Sequence, residues 1–317
     1  MNRRAFLVRS SALAAASVLL RPRLSAQPSA PAMPAAAPHA SAVTEFRPLR
    51  RNVGYFTGRG GTIGWLASKD ALAVIDTQYP ETAAICLAGL PGRGARKIDV
   101  VLNTHHHFDH TSGNGTFKPA AQTIVAHSRV PKFQLRAAEQ NDTTHKQVFA
   151  DTLFDDVWRH DCGDEVIVAQ HYGPAHTGGD AIITFERANV VHMGDLVFNR
   201  LYPVIDRFGG ASIRNWIKIL EQLAQTLPAD ALYIYGHGNA KFGVTGARGD
   251  LLTMRDFLAG LLAHVEKEIA AGKSKAEIVK LDNLPGFPDY HVPPGGRNRL
   301  PMNLATAYDE LTVPKPA

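Results

Sequence analysis

The sequence predicts an α/β protein, on three observations. Short runs rich in Val, Ile and Leu are punctuated by glycine, amphipathic stretches at helical spacing lie among them, and His and Asp residues gather just past the ends of the apolar runs. From Phe46 onward, residues 61–68 (Gly-Thr-Ile-Gly-Trp-Leu-Ala-Ser) and 71–76 (Ala-Leu-Ala-Val-Ile-Asp) read as strands. Residues 81–90 repeat apolar positions at helical spacing and are predicted to form a helix. Residues 98–102 (Ile-Asp-Val-Val-Leu) form a compact β-branched run of the kind buried on both faces of a sheet. Residues 165–169, 188–192 and 231–235 repeat that pattern, while 211–227 and 250–271 read as amphipathic helices with charged outer faces. From Lys280 the chain turns to Pro, Gly and aromatic residues, a tail expected to wrap the domain or border a site. There is no internal repeat and no second apolar block of independent size, so residues 43–317, tail included, are expected to form one domain.

The bulk composition narrows the classes. With 317 residues, 45% hydrophobic and 8% aromatic, the chain can bury a large core. Its net charge of +5 suggests a polyanionic partner, but the excess is local. Residues 1–26 hold Arg3, Arg4, Arg9, Arg21 and Arg23 with no acid, and the 34 basic residues less those five balance the 29 acidic ones. A nucleic-acid partner therefore has no electrostatic support.

Residues 1–26 have the layout of an export signal: a charged start, an apolar stretch from Ala12 to Leu20, and the small-residue run Leu24-Ser25-Ala26. The apolar part is too short for a stable membrane span. Arg3-Arg4 followed by Phe6-Leu7 resembles a twin-arginine signal, so a periplasmic or secreted bacterial protein is expected. Retention of precursor when Arg3 and Arg4 become Lys is the matching outcome, whereas undisturbed secretion would indicate the general route. Residues 27–42, almost all Pro, Ala and Ser, read as a flexible linker. Cys86 and Cys162 are the only cysteines; at most one bridge can form, and two buried thiols are expected.

The chemistry is concentrated at Thr104-His-His-His-Phe-Asp-His110, where His105, His107, Asp109 and His110 place four metal-binding side chains within six positions. His176, Asp195 and His237 follow, each at or beyond the end of a strand-like run, where loops on a rigid sheet bring distant residues together. In an extended segment His105 and His107 point one way and His106 the other, and a turn into helix then presents Asp109 and His110 together. Five imidazoles and two carboxylates without cysteine suit zinc, and they suffice for two cations per chain sharing Asp195. A metal-bound water, its pKa lowered from 15.7 toward roughly 7, would attack an ester, thioester, lactone or amide carbonyl of a small-molecule substrate. Asp109 is placed to orient that nucleophile or relay its proton, and Thr104 and Thr177 are candidates to hold ligand imidazoles in one tautomer. His106, His171 and His192 receive no metal role; Tyr202, Asp206, Arg207 and Arg214 lie in a Gly-containing stretch that can border substrate.

These residues resemble the metallo-β-lactamase superfamily, whose His-x-His-x-Asp-His signature is met by His105, His107, Asp109 and His110, with the later elements in order over roughly residues 50 to 265. The resemblance implies a four-layer αββα sandwich, the metallo-β-lactamase fold, with the site on the shared edge of two sheets. It implies His105, His107 and His176 around one metal, Asp109, His110 and His237 around another, and Asp195 between them. Asp195 stands where the true β-lactamases usually carry Cys or Ser, which is similar to the glyoxalase-type thioesterases and lactonases and lowers the weight of a β-lactamase reading. Phe198 occupies the place of the lactonases' tyrosine, Ser112-Gly113 that of the glyoxalase type's Gly-Gly, and His107 differs from the glutamate of the diiron flavoproteins. A dizinc hydrolase is therefore expected; a single-iron oxidoreductase and a non-catalytic metal-binding protein are the alternatives on the same scaffold.

Overall fold

The structure is a computed structural model and describes residues 43–290, 292 and 297–313; the signal (1–26) and linker (27–42) read from the sequence lie outside the described residues. The first half supplies strands β1 (Glu45–Arg50), β2 (Val53–Thr57), β3 (Ile63–Ala67), β4 (Leu72–Ile75), β5 (Ile98–Asn103), β6 (Ala121–His127) and β7 (Thr152–Phe154), which pair in sequence order into one sheet. The second half supplies β8 (Val157–Asp161), β9 (Val166–Gln170), β10 (Ile182–Phe185), β11 (Val190–His192), β12 (Phe198–Asn199), β13 (Leu232–Ile234), β14 (His237–Gly238) and β15 (Thr245–Gly246). Six of these form a second sheet in the order β15-β13-β11-β10-β9-β8, and β12 pairs with β14. The helices are α1 (Pro80–Gly89), α2 (Phe108–Thr111), α3 (Asn114–Phe117), α4 (Val130–Gln140), α5 (Ile213–Thr226), α6 (Arg248–Ala270), α7 (Lys275–Ile278) and α8 (Leu300–Thr312).

Side chains that alternate along a strand define four layers. In β4, Ala73 and Ile75 join a core shared with Ile183, Phe185 and Ile234 of the second sheet, while Leu72 and Val74 pack with Ala83 and Cys86 of α1. In the second sheet Val190 faces the first sheet, whereas Val191 and Tyr233 pack against α5, α6 and α8 through Trp216, Leu258 and Leu304. The order is thus helix, sheet, sheet, helix. Both cysteines are free and buried, as the sequence suggested, and burial pushes both thiols up, Cys162 to about 12. Among the described residues no helix is long and apolar enough to cross a membrane.

Two parallel pairings position the site. β4 runs parallel to β5, and β11 parallel to β13, so within each sheet the strand C-termini open on a common edge. Backbone bonds then lock the two edges together: Thr62 N donates to Gly236 O at 2.9 Å and Ala181 N to Thr104 O at 2.8 Å.

Candidate metal centre

The seven residues singled out in the sequence all converge at this edge. His105 follows β5 directly, and His107 is still extended (φ −64°, ψ 148°) before the chain turns into α2, which carries Asp109 and His110. His176 comes from the loop after β9, Asp195 from the turn after β11, and His237 from β14. Three groups of metal-capable side chains lie here: His105, His107, His176 and Asp195 form the first, Asp109, His110 and His237 the second, and His106, His107 and Asp206 a third that shares His107. In the first, His107 Nδ1 lies 3.1 Å from His105 Nε2 and 2.9 Å from His176 Nε2. In the second, Asp109 Oδ2 is 3.0 Å from His237 Nε2 and 3.7 Å from His110 Nε2.

Asp195 joins the groups. Its Oδ2 faces His176 Nε2 at 3.4 Å and His105 Nε2 at 3.7 Å, as well as His237 Nε2 at 3.5 Å, while its Oδ1 faces His110 Nε2 at 3.1 Å. That Oδ1 is fully buried and, despite the 3.1 Å approach, lacks the alignment of a hydrogen bond. The space is kept tight by glycine: a Cβ on Gly236 would collide with Asp195 Oδ1, and one on Gly61 with the His110 ring.

The outer nitrogens of four imidazoles are already engaged, which fixes where the inner ones point. His176 Nδ1 bonds Val204 O at 2.8 Å, His110 Nδ1 bonds Asp76 Oδ2 at 2.7 Å, His107 Nε2 bonds Asp206 Oδ2 at 3.0 Å, and His105 Nδ1 bonds Thr104 Oγ1 at 3.0 Å. Each acceptor fixes the tautomer, so a lone pair on the opposite nitrogen is turned inward. Inner nitrogens gathered about 3 Å apart repel unless an electrophile lies among them, and tetrahedral zinc–nitrogen bonds of ~2.0–2.1 Å call for separations of about 3.3 Å. The donor set and the unbonded Asp195 oxygen therefore fit divalent cations.

Electrostatics agree. Burial opposes protonation of His110, yet Asp195, Asp109 and Asp76 hold it well above the ordinary imidazole range; burial likewise opposes His237, which Asp195 and Asp109 raise to about 9. Burial drives His105 well down and His176 to about 3. Asp195 and Asp109, which burial alone would raise, are kept well below the carboxylate range, first by His110 and then with His237. The two buried carboxylates are thus kept as anions by the imidazoles around them, the charge a divalent cation needs.

The remaining candidates read from the sequence separate by geometry. Thr104 contacts His105, whereas Thr177 bonds Asp180 instead of a ligand. His192 bonds Thr62 O, and His171 stacks on His127 at 3.9 Å, both apart from the metal groups. Tyr202 is buried in the outer helical core, and Arg207 and Arg214 line a separate cavity of about 660 Å³ beside α5 and α8. Of those four, only Asp206 reaches a candidate ligand. Asp76 is the residue that sequence reasoning missed: at φ +64° it accepts from Thr104 N (2.7 Å), Thr104 Oγ1 (2.7 Å) and His110. Its signal was present, since it ends an apolar strand run as the other site residues do. Phe198, in the lactonase tyrosine's place, stacks on His237 at 5.2 Å and 17°.

A four-layer sandwich with this His/Asp edge defines a metallo-hydrolase scaffold, and residues 56–237 match the family model of the metallo-beta-lactamase superfamily; the chain belongs to that superfamily. Among its relatives, the hydroxyacylglutathione hydrolase of Methylococcus capsulatus is 30% identical over 249 residues, 70% of this chain and 86% of that one. A hydroxyacylglutathione hydrolase of Rhodospirillum rubrum is 28% identical over 56% of this chain and 61% of its own length. Among solved structures, a sec-alkylsulfatase from Pseudomonas sp. aligns with a TM-score of 0.65 at 17% identity, covering 85% of this chain but only 50% of the sulfatase. A metallo-beta-lactamase from Pontibacter korlensis aligns at 0.58 and 16%, covering 68% of this chain and 99% of that one. At such identities the structural matches establish the fold: the metallo-β-lactamase fold.

Proposed function

We propose that the protein is a dizinc hydrolase that cleaves a thioester, or a closely related carbonyl ester, of a small molecule. The observation that carries this reading is Asp195, whose carboxylate reaches both ligand groups, Oδ2 toward His105, His176 and His237 and Oδ1 toward His110. His105, His107, His176 and Asp195 would hold one zinc, and Asp109, His110, His237 and Asp195 the other. Bound divalent cations supply a water acidified to a pKa of about 7 and polarisation of the scissile carbonyl. The thioester preference is supported by the name of the relative that is 30% identical over 70% of the chain, and by a carboxylate where a β-lactamase reading expects Cys or Ser.

The protein's own groups divide the remaining work. His105, His110 and His176 are buried, whereas Asp109, His237 and His107 are about a quarter exposed (side chains 26%, 24% and 21%), so they border the mouth by which substrate enters. Asp109 faces that mouth with its Oδ2 3.0 Å from His237 Nε2, and although burial opposes it, His110 and then His237 keep it an anion, placed to orient an attacking water or relay its proton. Phe198 lies flat against His237 and closes one flank of the ring to solvent. The test is a panel of thioester, lactone, lactam, phosphodiester and sulfate ester substrates given to zinc-loaded mature protein. Thioester turnover should exceed the others and fall at least 100-fold in Asp109→Asn, within the range for a proton-transfer group. Turnover of the lactam alone, or full activity in Asp109→Asn, would contradict the reading.

A further inference from the structure

His106 is the middle member of the histidine triplet; it belongs to neither group around Asp195 but clusters with His107 and Asp206, which offers one carboxylate to two imidazoles. Its ring points away from His105, packs on Phe133 at 5.3 Å, and is 98% buried. Its Nε2 lies 3.2 Å from Asp206 Oδ2, the same oxygen that His107 Nε2 approaches at 3.0 Å, and the two rings sit 4.6 Å apart. One carboxylate oxygen therefore faces both imidazoles: it bonds His107 Nε2, His106 Nε2 approaches it within ion-pair distance, and His106 Nδ1 is buried without a partner. The other oxygen, Oδ1, accepts from Gly209 N at 2.8 Å.

The segment carrying Asp206 is also tied to the opposite side of the first ligand group. Val204 O accepts from His176 Nδ1 at 2.8 Å, and Asp206 N donates to His176 O at 3.2 Å. Residues 204–206 thus set the orientation of two candidate ligands, His107 through a side chain and His176 through the backbone. The packing leaves little slack, because a Cβ on Gly209 would crowd both Asp206 Oδ2 and the His106 ring, the latter at 2.7 Å.

On the assignment of these residues to a metal centre, we infer that His106 is a positioning residue: by holding Asp206 in place, it fixes the tautomer and the angle at which His107 presents Nδ1 to the metal. Without the His106 imidazole, Asp206 Oδ2 keeps one imidazole partner in a largely buried space and can rotate about its side-chain torsions, carrying His107 with it. Partners that orient ligand histidines typically change metal affinity 10–100-fold when removed.

Three variants separate this role from simple packing. His106→Phe keeps the ring against Phe133 but has no donor; His106→Gln restores an N–H at similar reach; Asp206→Asn removes the charge that both histidines share. Zinc affinity is measured by chelator competition, the ligand field by the visible spectrum after cobalt substitution, and folding by the Tm of the metal-free protein. Asp206→Asn should weaken zinc toward 100-fold, and His106→Phe roughly tenfold with an altered cobalt spectrum. His106→Gln should recover most of that loss. Wild-type protein that binds zinc tightly, beside a His106→Phe variant of equal affinity and unchanged spectrum, would overturn the inference alone. Wild-type protein that binds no divalent metal would overturn the metal-centre reading and this inference with it. If His106→Phe does not fold, Asp206→Asn decides: zinc bound as tightly as by wild type overturns the inference.

Discussion

Four of the seven candidate ligands are oriented by groups outside the seven. Asp76 does this for His110, at 2.7 Å, and for the backbone of Thr104, and it is fully buried. Asp76→Asn should lower zinc affinity about 10–100-fold, because the amide can accept from His110 or Thr104 but loses the charge that holds both. Chelator competition gives the affinity; an unchanged value would show that His110 is oriented by packing alone. The ligands themselves were legible in the sequence because metal chemistry restricts them to His and Asp and sheet geometry places them after strands. Asp76 and Asp206 were less legible, because an outer-layer carboxylate is recognised by what it touches, and contacts between residues 28 to 99 positions apart are created only by the fold.

At the scale of elements, α5 and α8 illustrate an interaction outside the site. The first turn of α5 leaves backbone N–H groups without helical partners, and Glu310 of α8 accepts from Ile213 N at 2.8 Å and Arg214 N at 2.9 Å. A carboxylate at a helix N-terminus is favoured by both hydrogen bonding and the helix dipole, so Glu310→Gln should destabilise the fold by about 1 kcal/mol. Urea unfolding would show this as a lower midpoint at constant slope; an unchanged midpoint would mean that water caps α5 equally well. The helix that carries Glu310 was not legible in the sequence. The Pro and Gly of residues 280–296 dominated that region, although Leu300, Leu304, Ala307 and Leu311 recur at helical spacing and Pro301 sits where a helix begins. Strands β5, β9, β11 and β13 were legible from their β-branched runs, each within one or two residues of its observed ends. The edge strands β1 and β8 were not, since charged or polar residues such as Arg47, Arg159 and Asp161 break their apolar pattern.

At the scale of the whole molecule, two sheets contribute strand ends to one edge, and backbone bonds such as Thr62 to Gly236 hold the halves in register there. The residues brought together span positions 105 to 237, so the centre forms only when both halves fold. Metal bound to the folded state alone stabilises it by mass action. The most direct measurement is elemental analysis of the mature protein after equilibration with zinc and removal of loosely held ion. The account predicts about two zinc per chain, falling to one or fewer in Asp195→Ala. A wild-type protein retaining no zinc, or an Asp195→Ala variant still retaining two, would contradict it.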